Sequence, residues 1–226
     1  MLSGAICSPV SSNHSLLVNR PLTEIIIRPA EASDLAGIRD VCLKTADAGK
    51  DGTALYRYPE LLWAVYADPY LVFSPQTCFV AEDELGICGY TLAALDSEAM
   101  QAWALQEWLP PFLQAYPLNL AESCGPEDQE LLHLIHEPSP LFPFVKEYPS
   151  HLHIDLLPRA QKRGLGRRLI EALLERLTNL GSKGVHFGVA GENLNAQAFY
   201  HHIGFEDLLV LPDNTRLMGL RLPKID

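Results

Sequence analysis

The sequence lacks the features of several common protein classes. No stretch approaches the run of about 18 apolar residues that a membrane-spanning helix needs. The five cysteines are scattered, odd in number and without a Cys-x-x-Cys spacing. They favour reduced thiols in a soluble cytoplasmic protein and predict neither a disulfide framework nor a zinc site. Basic residues are in the minority, and the net charge of −11 argues against partners such as nucleic acid or an anionic membrane.

Length and composition predict one large domain. A chain of 226 residues with 48% apolar residues can bury the core of a single α/β domain. Residues 1–22 have neither the basic start nor the long apolar core of a signal peptide, and we expect a flexible N-terminal arm there. The folded domain is then expected to span residues 23–226.

Apolar strand-like runs alternate with amphipathic helical segments along this domain. The predicted strands are 25–29, 78–82, 87–95, 151–157, 185–189, 208–211 and 216–222, and the predicted helices are 34–44, 59–67, 98–114, 126–135, 165–180 and 194–203. The helix over 165–180 has the clearest pattern, because leucines recur at every fourth position on one face. Together the segments indicate an α/β or α+β fold with a mixed sheet.

A long connection, residues 96–150, interrupts this alternation. It contains aromatic residues, several prolines and two of the predicted helices. An insertion of this kind is often a lid or a wall of a substrate site. A rigid subdomain or a contact between subunits is the alternative, and it has equal support from the sequence.

The strongest chemical signal lies at residues 151–166. An alternating apolar strand runs into a proline, and a Gln-x-x-Gly-x-Gly turn formed by Gln161, Gly164 and Gly166 then leads into a helix. Such a helix start presents unpaired backbone N–H groups to an anion, and the helix dipole adds positive potential. Basic side chains surround the turn at Lys162, Arg163, Arg167 and Arg168. The turn therefore predicts a diphosphate site.

Two familiar diphosphate motifs do not fit this turn. A P-loop requires Gly-Lys-Ser/Thr, but Arg167 follows Gly166. A dinucleotide-binding turn requires a third small residue where Leu169 stands, and an acidic residue where the next strand ends in Ala190. Taken alone, the turn is also compatible with a tight connection that binds nothing.

A second motif, ENLNAQAFYHHIGF at residues 192–205, identifies the diphosphate. With the first motif it resembles the acetyl-CoA-binding motifs of the GNAT superfamily of N-acetyltransferases. The matching positions are Asn193, Ala196, Phe199, Tyr200, Gly204 and Phe205. Short segments at 45–49, 68–70, 89–90 and 185–186 are similar to one GNAT subgroup. That subgroup includes the acetyltransferase-like domain of protein O-GlcNAcase and its free-standing bacterial relatives.

The resemblance implies a GNAT-type α/β (α+β) fold, with a mixed, mostly antiparallel central sheet flanked by helices. The long helical insertion would precede the CoA-binding strand. Acetyl-CoA (coenzyme A) would be held by the 161–168 turn at its diphosphate and by the strand edge at its pantetheine amides. The residues expected to contact it are Ile154, Leu156, Leu157, Gln161, Lys162, Arg163, Gly164, Leu165, Gly166, Arg167, Arg168, Asn193, Ala196, Phe199 and Tyr200.

Acyl transfer to an amine also needs a group that removes a proton from the nitrogen. Alternate side chains of a strand share one face, so His151, His153 and Asp155 line up with about 6–7 Å between neighbours. In several GNAT enzymes the base lies near the start of this strand, which favours a histidine over Asp155. Inert, hydrogen-bonded histidines are the alternative, and no third ligand for a metal is apparent.

The remaining candidates also follow from the resemblance. Tyr200 is expected to protonate the leaving thiolate, since a phenol with a pKa of about 10 suits that role; a core tyrosine is the alternative. Asn193 is expected to cap its helix and to bond the pantetheine arm. The expected substrate contacts are Asp47, Tyr70, Asp96 and His186, the last two pointing into the cleft.

These features predict an acetyl-CoA-dependent N-acetyltransferase that acts by direct transfer in a ternary complex. The acceptor would be a primary amine, either a small molecule or a protein lysine. An inactive GNAT-like module that binds CoA or a partner is the alternative, although the intact glycines and Tyr200 favour activity. The sequence leaves open the acceptor and whether the protein is a monomer or a homodimer.

Overall fold

The structure, a computed structural model, describes residues 24–224. The arm expected at 1–22 lies outside the described residues. The strands are β1 Ile26–Pro29, β2 Cys78–Asp83, β3 Gly86–Ala94, β4 Ser150–Leu156, β5 Gly184–Val189, β6 Glu206–Val210 and β7 Arg216–Arg221. The helices are α1 Leu35–Thr45, α2 Pro59–Tyr66, α3 Asp68–Phe73, α4 Ser97–Trp103, α5 Pro110–Ala115, α6 Pro126–His136, α7 Leu165–Asn179 and α8 Leu194–His202.

The strands form one sheet in the order β1-β2-β3-β4-β5-β7-β6. Every neighbouring pair is antiparallel except β4 and β5, which run parallel. The predicted mixed, mostly antiparallel sheet is thus confirmed. Within residues 24–224, no helix is both long and apolar enough to cross a membrane.

Helices cover both faces of the sheet. On one face α1, α2 and α6 bury a cluster that includes Tyr90 and Leu92 of β3. On the other, α7 and α8 pack over Leu152 and Phe187. Helix α7 places its regularly spaced leucines against the sheet, as its pattern predicted. Gly181 follows its C-terminal cap with a φ of +80°, which suits glycine.

The insertion between β3 and β4 is helical, but the helix predicted over 98–114 is not continuous. After α4 the chain makes a π-helical turn at Ala104–Trp108, and α5 then starts with two prolines. A proline has no backbone N–H to donate to the preceding turn, and its ring clashes with that turn. The prediction of one unbroken helix was therefore wrong.

Polar contacts fix the insertion to the rest of the domain. The indole nitrogen of Trp108 donates to the carbonyl of Ala64, at 2.8 Å. The buried carboxylate of Asp128 accepts the backbone N–H groups of Arg57 and Tyr58, at 2.9 and 3.2 Å. These contacts connect α4–α6 with α2 and with the 46–58 loop, so the insertion forms a wall over one face of the sheet.

Two local features differ from the sequence interpretation. Helix α3 was not predicted, and its Asp68 forms an ion pair with Arg39 of α1, at 2.5 Å. Asp34 was expected to cap α1, but its carboxylate instead accepts the N–H of Glu31 and pairs with Arg28, at 2.8 and 2.7 Å. The Asp68 carboxylate thus joins α3 to α1, and the Asp34 carboxylate joins the start of α1 to the end of β1.

Candidate active site

A gap opens in the sheet between the two parallel strands. β4 pairs with β3 over its length from His151 to Leu156, but it pairs with β5 at only two positions, Ser150 with Val185 and His151 with His186. Beyond His151 the two strands diverge. One edge of β4 is thereby left open to a ligand that can pair with it as a strand would.

Backbone geometry shows which residues of β4 face this gap. The N–H of Leu157 donates to the carbonyl of Cys88, at 2.9 Å, directly across from it on β3. Since hydrogen-bonding direction alternates along an antiparallel strand, Ile154 and Leu156 direct their backbone groups into the gap. Leu157 was expected to bind the cofactor through this edge, but its N–H is already used within the sheet.

The 161–166 loop lies at the C-terminal end of β4, next to the gap. Lys162 and Gly164 have φ angles of +56° and +74°, and α7 begins at Leu165 with Gly164 as its N-terminal cap. In the described part of the chain, the backbone N–H groups of Lys162 and of residues 164–167 have no backbone acceptor. A cluster of free N–H groups at a helix start is an anion site.

The two glycines of the loop have different roles. A Cβ added to Gly164 would meet nothing within 4 Å, but the left-handed φ disfavours any other residue. A Cβ on Gly166 would lie 3.4 Å from Leu156 and 3.9 Å from Phe199. Gly164 is needed for the turn, whereas a methyl group at position 166 would make only ordinary van der Waals contacts with β4 and α8.

The polar side chains of the loop and the start of α7 are mostly exposed, and some of them form contacts within the protein. Gln161 donates its side-chain amide to the carbonyl of Leu156, at 2.9 Å, and Arg167 pairs with Glu171 one turn along α7, at 2.7 Å. Lys162, Arg163 and Arg168 are also exposed. The loop therefore concentrates positive charge around the free N–H groups.

Helix α8 borders the gap from the other side. Asn193 caps it as expected, accepting the N–H of Ala196 at 3.1 Å. Gln197, which the sequence interpretation did not single out, donates to the carbonyls of Ala190 and Gly191, at 3.0 and 2.9 Å, and so fixes the turn between β5 and α8.

Tyr200 of α8 is buried among aromatic rings. Its ring centroid lies 4.3 Å from that of Phe187 and 5.8 Å from that of Phe205. Burial raises the pKa of its hydroxyl, and the charge of Asp155 adds to this effect. No hydrogen bond to the hydroxyl is present among the described residues, so the group is protonated and available to donate.

The row of side chains expected on β4 is present. His151, His153 and Asp155 occupy one face, and the rings of the two histidines are 6.4 Å apart. Both ring nitrogens of His151 are bonded, Nε2 to the Tyr70 hydroxyl at 2.8 Å and Nδ1 to the Ser97 hydroxyl at 2.7 Å. Loss of hydration lowers the pKa of His151 to about 3. This histidine is neutral and held in place.

His153 differs from its neighbour in having no hydrogen-bond partner among the described residues. Its ring contacts the edges of Tyr66 and Tyr70, with centroids 5.4 and 5.2 Å away. Loss of hydration lowers its pKa to about 4. A neutral imidazole with a free ring nitrogen can accept a proton directly.

Asp155 and His186 lie at opposite ends of this row. Asp155 accepts the Tyr90 hydroxyl at 2.6 Å, and desolvation raises its pKa to about 6, although the hydrogen bonds from Tyr90 and Thr45 limit the rise. The His186 ring lies 5.9 Å from that of His151, and its Nδ1 bonds the carbonyl of Tyr148 at 2.8 Å. Within residues 24–224, no group of His, Cys, Asp and Glu is arranged to hold a metal ion.

Two cavities meet at His153. The first, which we name the apolar cavity, has a volume of about 350 Å³ and lies between the β4–β5 junction and the insertion. Its lining includes His151, His153, His186, Phe187, Met100, Ala104, Trp108, Leu109, Ile135, Leu141 and Phe142. The second, the acidic cavity, has a volume of about 270 Å³. Its lining includes Thr45, Tyr56, Tyr66, Glu127, Glu130, His153 and Asp155.

The structure places only some of the expected substrate residues at these cavities. Tyr70 and His186 line the apolar cavity. Asp96 does not point into the cleft as expected, because its exposed carboxylate caps α4 by accepting the N–H of Ala99 at 3.0 Å. Asp47 lies in a tight turn with Lys50 and lines neither cavity. Glu127 and Glu130 were missed, since they become neighbours of Asp155 only through the packing of α6.

Comparison with sequence families and curated proteins gives consistent matches. The sequence model of the acetyltransferase (GNAT) family matches residues 53–205. Protein O-GlcNAcase of Rattus norvegicus and of Mus musculus are each 26% identical over 180 residues, which is 79% of this chain and 20% of each relative. The chain therefore spans about a fifth of the length of these curated relatives.

Solved structures are similar to this chain over most of its length. A crystal structure of SsHAT is similar with a TM-score of 0.80 and 36% identity, covering 87% of this chain and 98% of that one. A GNAT superfamily phosphinothricin acetyltransferase from Sinorhizobium meliloti, solved in complex with acetyl-CoA, has a TM-score of 0.52 and 18% identity, covering 88% of both chains. At 18% identity, the similarity to the second structure shows a shared fold.

Proposed function

Because the chain belongs to the acetyltransferase (GNAT) family and is an acyltransferase with acetyl-CoA as its cofactor, we propose that it acetylates a primary amine by direct transfer in a ternary complex. The observation that carries this proposal is the divergence of β4 from β5 next to the free N–H groups of residues 164–167 at the start of α7. The gap and the loop lie end to end, as the pantetheine arm and the diphosphate of one ligand require.

The residues of this chain fit acetyl-CoA. The free N–H groups of Lys162 and of residues 164–167, with the surrounding basic side chains, suit a diphosphate, and the open edge at Ile154 and Leu156 suits amides. When bound, the cofactor supplies an acetyl thioester, whose C–S bond breaks as the amine nitrogen takes the acetyl group. The backbone N–H of Ile154 would donate to the carbonyl oxygen of that thioester.

His153 is the base that this geometry favours. Both ring nitrogens of His151 are already bonded to Tyr70 and Ser97, so its role is to keep the neighbouring side chains in position. His153 has a free ring nitrogen and borders both cavities. It therefore takes the proton from the acceptor nitrogen, while Asp155 stabilises the cationic form of the amine on arrival.

The charge of the acidic cavity supports an amine acceptor. Three carboxylates line it, those of Glu127, Glu130 and Asp155, and no Lys or Arg is among the described residues of its lining. Desolvation and the charges of the two glutamates raise the pKa of the lining residue Tyr56 to about 12. The negative charge of the acidic cavity attracts an ammonium group but not a neutral acceptor.

The direct test is release of thiol from acetyl-CoA in the presence of amines, with the product identified by mass. Mono-amines, diamines, amino sugars and lysine peptides form the panel, and initial-rate plots that intersect would support a ternary complex over a covalent enzyme intermediate. If CoA binds but no amine releases thiol, the chain is a CoA-binding recognition module, and the transfer proposal fails.

We expect Glu130→Gln to raise KM for a diamine about threefold to tenfold, with kcat unchanged. Glu130 is exposed at the cavity, so one charge pair contributes modestly, and binding that does not change in the transition state alters KM alone. Glu122→Gln is the matched control, since Glu122 is an exposed carboxylate of the insertion outside this cavity. Equal effects of the two variants would contradict the acceptor assignment.

We expect Tyr200→Phe to lower turnover about 10²-fold with little change in CoA affinity, because it removes the proton donor to the sulfur. The ring contacts with Phe187 and Phe205 are kept in this variant. Stopped-flow or steady-state thiol release gives kcat, and calorimetry gives the dissociation constant of CoA. Turnover close to that of the native protein would show that another acid or water protonates the thiolate.

The described cysteines support a cytoplasmic location, which we also propose. Cys42, Cys78, Cys88 and Cys124 are all free thiols, and the first three are buried. Burial raises the pKa of Cys42 and Cys78 to about 12. Buried, protonated thiols behave as small apolar side chains and suit a reducing compartment.

A further inference from the structure

We propose that the apolar cavity receives the chain of an acyl-CoA donor longer than acetyl, so that the protein also transfers medium-length acyl groups. This inference rests on the proposed function, since it uses the same donor site. It follows from the position of the cavity, its volume and the chemistry of its lining.

The cavity begins where the thioester end of the donor must lie. The diphosphate site is at the C-terminal end of β4, whereas β4 and β5 meet at His151 and His186, near the N-terminal end of β4. The pantetheine arm separates the diphosphate from the thioester, so the acyl group points toward this junction. His151, Leu152, His153, His186, Phe187 and Gly188 from the two strands all line the cavity.

The volume is far larger than an acetyl group needs. The cavity has a volume of about 350 Å³, whereas an apolar cavity of about 150 Å³ is known to bind benzene, with its six carbons. A methyl group takes no more space than one water molecule, about 30 Å³. An acetyl donor would therefore leave most of the space without contacts, which is unfavourable for an apolar wall.

The lining suits a hydrocarbon chain and not the amine. Met100, Ala104, Trp108, Ile135 and Phe142 form its wall, and no Asp, Glu, Lys or Arg is among the described residues that line it. The hydroxyls of Tyr70 and Ser97 already bond His151. An ammonium would find no opposite charge here, whereas the acidic cavity on the other side of His153 offers three carboxylates. The donor chain and the acceptor are thereby assigned to different cavities.

The bond changes are the same as in acetyl transfer. The amine nitrogen gains the acyl carbon, the C–S bond breaks, and the proton that leaves the nitrogen is balanced by one that reaches the sulfur. Each added methylene that enters the wall is expected to tighten donor binding about fourfold, which corresponds to about 0.8 kcal/mol. Because this binding is present before and during transfer, it lowers KM more than it raises kcat.

The test compares acetyl-CoA, butyryl-CoA and hexanoyl-CoA by calorimetry and by thiol release with one amine. Hexanoyl-CoA is expected to bind at least tenfold more tightly than acetyl-CoA. Ala104→Leu, which places a larger side chain in the cavity, should reduce this ratio to about 1. Ala99→Leu is the control, because Ala99 is exposed on the adjoining helix α4 and does not line the cavity, and it should keep the ratio.

The outcomes separate this inference from the proposed function. Equal affinities for the three donors would overturn the inference, even if acetyl transfer proceeds. A hexanoyl preference that Ala104→Leu leaves intact would also overturn it, because the chain would then bind elsewhere. If binding shows the expected ratio and its loss in Ala104→Leu but no amine is acylated, the acyl site stands and the transfer proposal fails.

Discussion

Gly164→Val is expected to raise the dissociation constant for CoA by 10²-fold or more while the protein remains folded. Gly164 has a φ of +74°, which a β-branched residue can adopt only with strain. Relief of that strain would turn the N–H groups of residues 162–167 away from their common centre, and the valine side chain would project into the open space beside them. Calorimetric titration with CoA measures the loss.

Gly181→Val is the matched control for this prediction. Gly181 has a φ of +80°, a Cβ there would also meet nothing within 4 Å, and it lies at the other end of α7. Each valine should therefore lower the free energy of unfolding by a similar amount, about 1–2 kcal/mol, but only Gly164→Val should lose CoA. Similar CoA affinity in the two variants would rule out the assignment of the 161–166 loop.

His153→Gln is expected to lower kcat/KM for the acceptor about 10³-fold, within the usual contribution of a general base. The dissociation constant of CoA should change little, because the side chain of His153 lies on the face of β4 away from α7. Glutamine keeps the size and polarity of the residue but cannot accept the proton. His202→Gln, at an exposed position of α8, is the control and should keep full activity.

The pH dependence of kcat/KM tests which group on β4 is the base. Activity needs the base unprotonated, so it is lost as the pH falls through the pKa of that group. With His153 the acid limb lies near its pKa of about 4, and the rate is flat between pH 5 and 7. With Asp155 the limb lies near its pKa of about 6. An acid limb near 6 that survives in His153→Gln would assign the role to Asp155.

Much of the proposed donor site could be predicted because it depends on local sequence. The Gln-x-x-Gly-x-Gly spacing, the leucine pattern of α7 and the alternation of His151 and His153 along β4 each reflect the geometry of one element. These features appear in the structure at the expected positions. A strand period of two was sufficient to place both histidines on the same face.

The proposed acceptor site could not be predicted because it depends on contacts between distant segments. Glu127 and Glu130 reach the cavity that Asp155 lines only after α6 packs against α2. The unequal roles of the histidines depend on Tyr70 and Ser97, which reach His151 across 81 and 54 positions. Asp96 is a different case, because its role as the cap of α4 is a local contact with Ala99 that an aspartate just before a predicted helix already indicates.

The short junction of β4 and β5 has a consequence for the stability of the protein. Within residues 24–224, strand pairing joins β1–β4 to β5–β7 at only two residue pairs. The amides of a bound donor would add further hydrogen bonds along Ile154 and Leu156. A ligand bound only by the native state stabilises it by about 2.7 kcal/mol at a hundred times its dissociation constant. The metabolic supply of acyl-CoA would then govern how long the protein survives proteolysis as well as its rate of catalysis.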